Sequence, residues 1–487
     1  MGGRTHSRKV TAPAPVHRSR TQGVLKVIAP RPSSNPYLLM SSGDFLVATI
    51  AAYLCLAILS QPEYLTGVEY HLWDLAPILG LCFAILMYLS DSYALESKDF
   101  SRAASAVLAG AALSLFLSLV FAMFVFEGLS ANRKLCIISL TITTICLILW
   151  RLALDHFVKS RVIRRVIIVG NTKLGGNLAR EIEERQYLGY RFIGFVCPEQ
   201  RGGAVGESPS IGQTSYFPST LEVLLADSRP LTVAVDASDG LPIGPEQLLK
   251  VRAMGICIND CESLYELITG KLPVSELRYS WLVFAPGYVR SRWRLAGKRL
   301  IDIVSALALL VLSLPVALTT ALAVKLDSPG PIFYQQERMS IGGAVFRILK
   351  FRSMRVDAET STGAAWATMR DPRVTRVGRL IRLLRIDELP QLINVIKGEM
   401  SLVGPRPERP ELIAKLIPAI PLYNHRHSMR PGITGWAQVC YPYGATVEDA
   451  REKLCYDLYY IKNWSLLLDL QIMLQTVKVV LYGRGAR

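Results

Sequence analysis

Two adjacent carboxylates, Asp387 and Glu388, stand among a concentration of cations. Lys350 and Arg352 precede them, Arg382 and Arg385 lead into them, and Arg406 and Arg409 follow. Acid set among base at this density suits an anionic substrate. A carboxylate can attack phosphorus, hold a divalent cation or move a proton, and Arg and Lys neutralise charge developing on phosphate oxygens. Arg supplies paired donors that match phosphate geometry. An isolated Asp-Glu pair more often caps a helix and faces water, so its meaning depends on the elements around it.

Those elements begin with a helical pattern. Leu389, Leu392, Ile393 and Ile396 recur at i, i+3, i+4 and i+7, which makes one apolar stripe. The pattern predicts Asp387 as N-cap, Pro390 in the first turn and Gly398 as the stop. Both acids would then sit at a helix N-terminus, where free amides and the helix dipole favour phosphate.

The whole chain has 487 residues, enough for two or three domains, with 51% hydrophobic and only 19% charged residues. A net charge of +16 admits nucleic acid, anionic lipid or phosphorylated substrates as partners. Nine cysteines without metal spacing argue for reduced thiols and against a structural zinc. Residues 1–35 read as a disordered basic tail, not a cleaved signal.

Four apolar runs follow, at about Phe45–Ser60, Leu75–Ser90, Ala103–Phe126 and Leu135–Trp150. They predict a four-helix transmembrane domain over 36–158. The acidic loop 61–74 and the cations Arg151, Lys159, Arg161, Arg164 and Arg165 after the fourth run put both ends of the bundle on the cytoplasmic side. Arg133 and Lys134 dissent and are outweighed.

Over 159–270 a strand (Arg165–Gly170), a glycine turn and a helix (Asn177–Tyr187) open an α/β unit. Strands at Phe192–Val196, Leu231–Val235 and Gly255–Ile258 continue it. The fold expectation is a Rossmann-like domain. The fingerprint is degenerate, because Gly170 and Gly175 do not make GxGxxG and Glu199 is the only nearby ribose-binding candidate. Nucleotide binding does not follow from the fold. Residues 271–297 read as a linker.

Ile303–Val324 is a run of 22 uncharged residues with basic flanks on both sides, and Ser313 and Pro315 lie near its middle. By pattern alone a fifth span and a helix that breaks and returns are equally compatible. Keeping the phosphate-binding region beside cytoplasmic nucleotides favours a re-entrant helix over 300–325, with its break at Ser313 and Pro315. The segment Tyr456–Tyr482 reads as an interfacial amphipathic helix.

The motifs KFRSM (350–354), DELPQ (387–391), LVGPRP (402–407) and RPGITGWAQV (430–439) stand in this order behind the Ser/Pro-bearing apolar helix. Over 298–487 the chain resembles the bacterial sugar transferases, the monotopic polyprenyl-phosphate phosphoglycosyl transferases. The N-terminal parts resemble the long members that initiate exopolysaccharide and colanic-acid-type synthesis. Gln438–Gly444 and the C-terminal residues resemble an exosortase-associated branch. Ser313-Leu314-Pro315 replaces an adjacent Ser-Pro, and Cys440-Tyr441 replaces Asn-Gly.

The resemblance implies an α+β monotopic catalytic domain at the bacterial inner membrane, facing the cytoplasm. It implies transfer of a hexose-1-phosphate from a UDP-sugar, glucose or galactose by family, to undecaprenyl phosphate, with Mg²⁺ and release of UMP. Asp387 would be the nucleophile, and the role of Glu388 stays open between holding the metal and proton transfer. Lys350, Arg352, Arg382 and Arg406 would hold phosphates. The implied partners are membrane lipids and polysaccharide assembly proteins, with no nucleic acid. The competing reading is a membrane-anchored nucleotide-sensing regulator with an inactive transferase domain.

Overall fold

The computed structural model describes residues 43–50, 164–170, 172–196, 231–237, 243–285, 291–355, 373–442 and 446–481, with isolated positions between them. The basic tail, almost all of the four apolar runs, and Glu199 lie outside the described residues.

The chain enters an α/β unit at β1 (Arg164–Val169), whose four inner residues are buried. Thr172 caps α1 (Lys173–Glu184) by accepting from the Gly175 amide. After β2 (Tyr190–Val196), β3 (Ser215–Tyr216) and β4 (Leu231–Val235) come α2 (Pro245–Ala253), β5 (Cys257–Asp260) and α3 (Cys261–Thr269). All strand pairs are parallel and the order is β3-β2-β1-β4-β5. The strands read as continuous apolar runs because helices cover both faces.

The expected linker 271–297 is no bare tether. Leu272 and Val274 are buried in the main core, and the Leu272 amide donates to the Cys455 carbonyl. A short helix, α4 (Tyr279–Phe284), follows.

Next comes α5 (Arg292–Asp327), 36 residues long and, among the described residues, the one helix long and apolar enough to cross a membrane. Its two arms are buried against the following domain, through Lys298, Asp302 and Ala306 at one end and Thr320 and Val324 at the other. The middle, including Val311, Leu312 and Leu314, is exposed. The expected break at Ser313 and Pro315 is not an interruption, since the backbone stays helical through both. Proline removes one amide, and nearby hydroxyls satisfy neighbouring carbonyls instead. Thr319 Oγ1 lies 3.0 Å from the Pro315 and Val316 oxygens, and Ser313 Oγ lies 3.3 Å from that of Leu310.

The last domain is mixed α/β. The antiparallel pair β6 (Phe333–Met339) and β7 (Val345–Phe351) leads to α6 (Arg376–Leu383) and α7 (Gln391–Lys397). Then β8 (Ser401–Val403), α8 (Pro410–Leu416), β9 (Gly432–Thr434) and α9 (Trp436–Cys440) follow, with β8 and β9 parallel. Two helices close the chain, α10 (Val447–Asn463) and α11 (Leu466–Leu481). The expected single interfacial helix from Tyr456 is therefore two helices. Leu454–Lys462 are buried, and only α11 turns leucines such as Leu467 and Leu470 outward.

Candidate active site

Arg385 sets the local geometry. Its backbone is left-handed (φ 59°), a conformation that is sterically unfavourable for a residue with a Cβ. The chain turns sharply there from α6 into a 3₁₀ turn, Ile386–Glu388, that carries both acids. The expected capping role of Asp387 does not occur. No side chain caps this turn, and α7 starts four residues after Asp387, with Pro390 at its N-cap and Gly398 in the left-handed C-cap. The apolar stripe extended over the turn, but Arg385 and Pro390 decide where regular helix begins.

The two carboxylates differ in their surroundings. Glu388 Oε1 accepts from Arg406 at 2.9 Å and from Lys350 at 3.2 Å, and Arg385 stands 3.6 Å away. Burial raises the Glu388 carboxyl, yet Lys350, Arg406 and Arg385 together outweigh it and hold the group well below the usual carboxylate range. Asp387 is equally buried and makes no hydrogen bond or ion pair among the described residues. Burial raises its carboxyl, and the Glu388 charge adds to this against the pull of Lys350, Arg385 and Arg382. One acid is thus clamped by cations while the other is left available. Lys350 is itself pushed down by burial, against the attraction of Glu388.

Each cation is held by its own support. Asn394 on α7 accepts the Leu349 amide at 3.0 Å and donates to the Arg347 carbonyl at 2.8 Å, so it serves as a strand partner along β7 and fixes Lys350 over Glu388. The carbonyls that end α7 are capped from α5, since Arg299 donates to Val395 at 2.6 Å and Ile396 at 2.8 Å. Arg406 is placed by glycines. A Cβ on Gly404 would lie 2.3 Å from the Arg430 carbonyl, and one on Gly432 would lie 2.1 Å from the Gly404 amide. Only bare backbone lets the 402–407 and 430–439 motifs touch. Behind them Arg426 donates to the Arg406 carbonyl at 3.0 Å and to buried Asp457 at 2.9 Å.

Of the residues expected from sequence, Lys350, Arg382 and Arg406 join Asp387 and Glu388 in one electrostatic cluster. Arg352 does not. Its guanidinium is buried against the end of α5, donating to the carbonyls of Ser328 at 2.6 Å and Pro329 at 3.0 Å. Two residues apart, it would share a face with Lys350 on a continuous strand, but β7 ends at Phe351 and Arg352 turns instead to the carbonyls of the 328–329 turn. Sequence reasoning missed Asn394, Arg426 and Asp457. Asn394 sat inside a motif read for its leucines, and Arg426 and Asp457 are 31 residues apart without a local pattern.

Residues 293–483 match the profile described as bacterial sugar transferase. The chain is 31% identical over 343 residues to a UDP-glucose:undecaprenyl-phosphate glucose-1-phosphate transferase of Xanthomonas campestris pv. campestris, covering 66% of this chain and 68% of the relative. The chain belongs to the bacterial sugar transferase family. It is also 50% identical over 285 residues to a UDP-N-acetylgalactosamine-undecaprenyl-phosphate N-acetylgalactosaminephosphotransferase of Aeromonas hydrophila (58% of this chain). A third similarity, 44% over 337 residues, is to an undecaprenyl-phosphate glucose phosphotransferase of Komagataeibacter xylinus (67% of this chain). The matches span 63% and 60% of these last two relatives.

At this site a Mg²⁺ ion would find two carboxylates, and no group of three metal-ligating side chains exists among the described residues. That donor set fits Mg²⁺, which keeps several waters and completes its shell with substrate phosphates. Asp387 and the Glu388 oxygen that takes none of the three cations are the residues that would hold it.

Proposed function

We propose that this chain is an undecaprenyl-phosphate sugar-1-phosphate transferase, acting at the cytoplasmic face of the bacterial inner membrane to initiate exopolysaccharide repeat-unit synthesis. The observation that carries the reading is the asymmetry of the acids: buried Asp387 has no bonding partner among the described residues, beside Glu388 held by three cations.

An Asp387 carboxylate oxygen attacks the sugar-bearing β-phosphorus of a UDP-hexose. A bond from that oxygen to phosphorus forms, the bond to the bridging oxygen breaks, and UMP leaves with the electron pair. A phosphate oxygen of undecaprenyl phosphate then attacks the same phosphorus. The aspartyl–phosphorus bond breaks, the carboxylate is restored, and the diphospho-linked sugar departs. Two displacements at a neutralised centre replace one between two anions. Lys350, Arg382 and Arg406 meet charge on the phosphate oxygens, and burial strips water from the nucleophile. Bound Mg²⁺ would supply further neutralisation of the diphosphate.

We read α5 as a re-entrant helix whose exposed middle enters the bilayer while both arms stay with the catalytic domain. The α/β unit reads as a degenerate Rossmann-like module. Its strand order supports that, but buried Asp236 takes a hydrogen bond from Thr172 at the first turn, where a dinucleotide's pyrophosphate would approach. A carboxylate there repels phosphate, which weighs against nucleotide sensing. Incubation with undecaprenyl phosphate and a panel of UDP-sugars tests the reaction. UMP release with one sugar is the expected result, and UDP release would overturn it.

A further inference from the structure

The segment between the α/β unit and α5 precedes the 293–483 profile match, and it exposes large apolar side chains. On α4, Tyr279, Val283 and Phe284 point outward, Phe284 being 85% exposed. In the first turn of α5, Trp293 is 87% exposed between Arg292 and Arg294, which are also exposed. Isolated exposed apolar residues need no explanation, but here aromatic and basic residues share one short stretch.

This stretch is fixed in place. The inward residue of α4, Trp281, donates to Asp260 of the α/β unit and lies under Lys462 of α10, whose Nζ is 4.2 Å from the ring centroid. Lys462 is in turn paired with buried Glu266 of α3. Downstream, the Tyr288 amide donates to the Lys462 carbonyl at 3.3 Å, and a Cβ on Gly287 would lie 2.7 Å from that oxygen. Lys298 of α5 stands 6.0 Å from the Trp464 ring centroid, at the junction of α10 and α11. The outward face of α4 is thereby anchored where two helices with exposed apolar surface begin: α5 with Leu300 and Val304, and α11 with Leu466 and Leu467.

We propose that α4 and the first turn of α5 form an interfacial anchor in the headgroup layer of an anionic bilayer. It rests on the reading of α5 as membrane-embedded. Aromatic rings with a polar edge prefer the headgroup level, and Arg292 and Arg294 complement anionic phosphates. Continuity with α5 and α11 selects lipid over a second protein chain as the occupant. Because Trp281 ties this anchor to both Asp260 and Lys462, it would fix the α/β unit and the catalytic domain at one height above the membrane.

The test uses the full chain in nanodiscs of phosphatidylethanolamine and phosphatidylglycerol, with Phe284 replaced by p-benzoylphenylalanine. The same replacement at Leu312, in the exposed middle of α5, is the reference. Irradiation should give phospholipid adducts at both positions, read by mass. Adducts at 312 with none at 284, or cross-links from 284 to protein, would overturn the anchor. Absence of adducts at 312 would overturn the embedded reading of α5 and the anchor with it.

Discussion

Arg406 donates to Glu388 at 2.9 Å across 18 positions of sequence, onto the same oxygen that Lys350 approaches at 3.2 Å. Removing the acid would leave three cations facing one another in a buried site. Glu388→Gln is expected to lower stability by about 3–5 kcal/mol, the usual cost of breaking a buried ion pair. It should also reduce UMP release about 10²-fold or more, through lost placement of the phosphate-binding groups. Thermal unfolding and a UMP assay on the same preparation check both.

Arg426 reaches the site only through the Arg406 backbone, so its effect should depend on Arg406. Arg426→Lys keeps the charge but cannot bond both Asp457 and that carbonyl. In a double-mutant cycle with Arg406→Ala, the loss in kcat/KM from Arg426→Lys is expected to shrink by an amount equivalent to a coupling of about 1–3 kcal/mol. Additive losses would mean that Arg426 serves the fold alone.

The raised carboxyl of Asp387 links reactivity to stability. A carboxyl with a raised folded-state value gives stability that is complete below its unfolded value and lost as pH rises through the folded one. Attack needs the ionised form, so activity should fall as pH drops through the same raised value. Asp387→Asn is expected to be inactive yet more stable than the unmodified chain at neutral pH, with the difference closing in acid. Because Arg382 pulls the Asp387 carboxyl down, Arg382→Ala should move the acid limb of the rate profile upward. Unfolding and single-turnover rates across pH measure both.

Gly404→Ala would put a Cβ 2.3 Å from the Arg430 carbonyl. Overpacking of this kind costs about 1–3 kcal/mol. It should displace Arg406 as well, so kcat/KM falls more steeply than stability. Circular dichroism melts beside donor kinetics separate the two.

Much of this was legible in the sequence because it is local. The strand runs at Arg164–Val169 and Leu231–Val235, the glycine stop at Gly398 and the neighbouring acids are all set by short-range chemistry. What escaped depends on contacts between distant segments. Nothing near Arg352 says that its guanidinium turns to Ser328, and a left-handed Arg385 has no sequence signature comparable to glycine. The split between buried Tyr456–Ile461 and outward-facing α11 escaped for a different reason. Both stretches are apolar, and only packing distinguishes a core helix from an interfacial one.

The covalent role of Asp387 is tested most directly by trapping. Membranes holding the full chain are incubated with a UDP-sugar radiolabelled in its β-phosphate, without lipid acceptor, and the denatured polypeptide is counted. Label that is retained by the unmodified chain, absent in Asp387→Asn and chased into lipid by undecaprenyl phosphate is the expected result. No label on the polypeptide, or label that persists in Asp387→Asn, would contradict it.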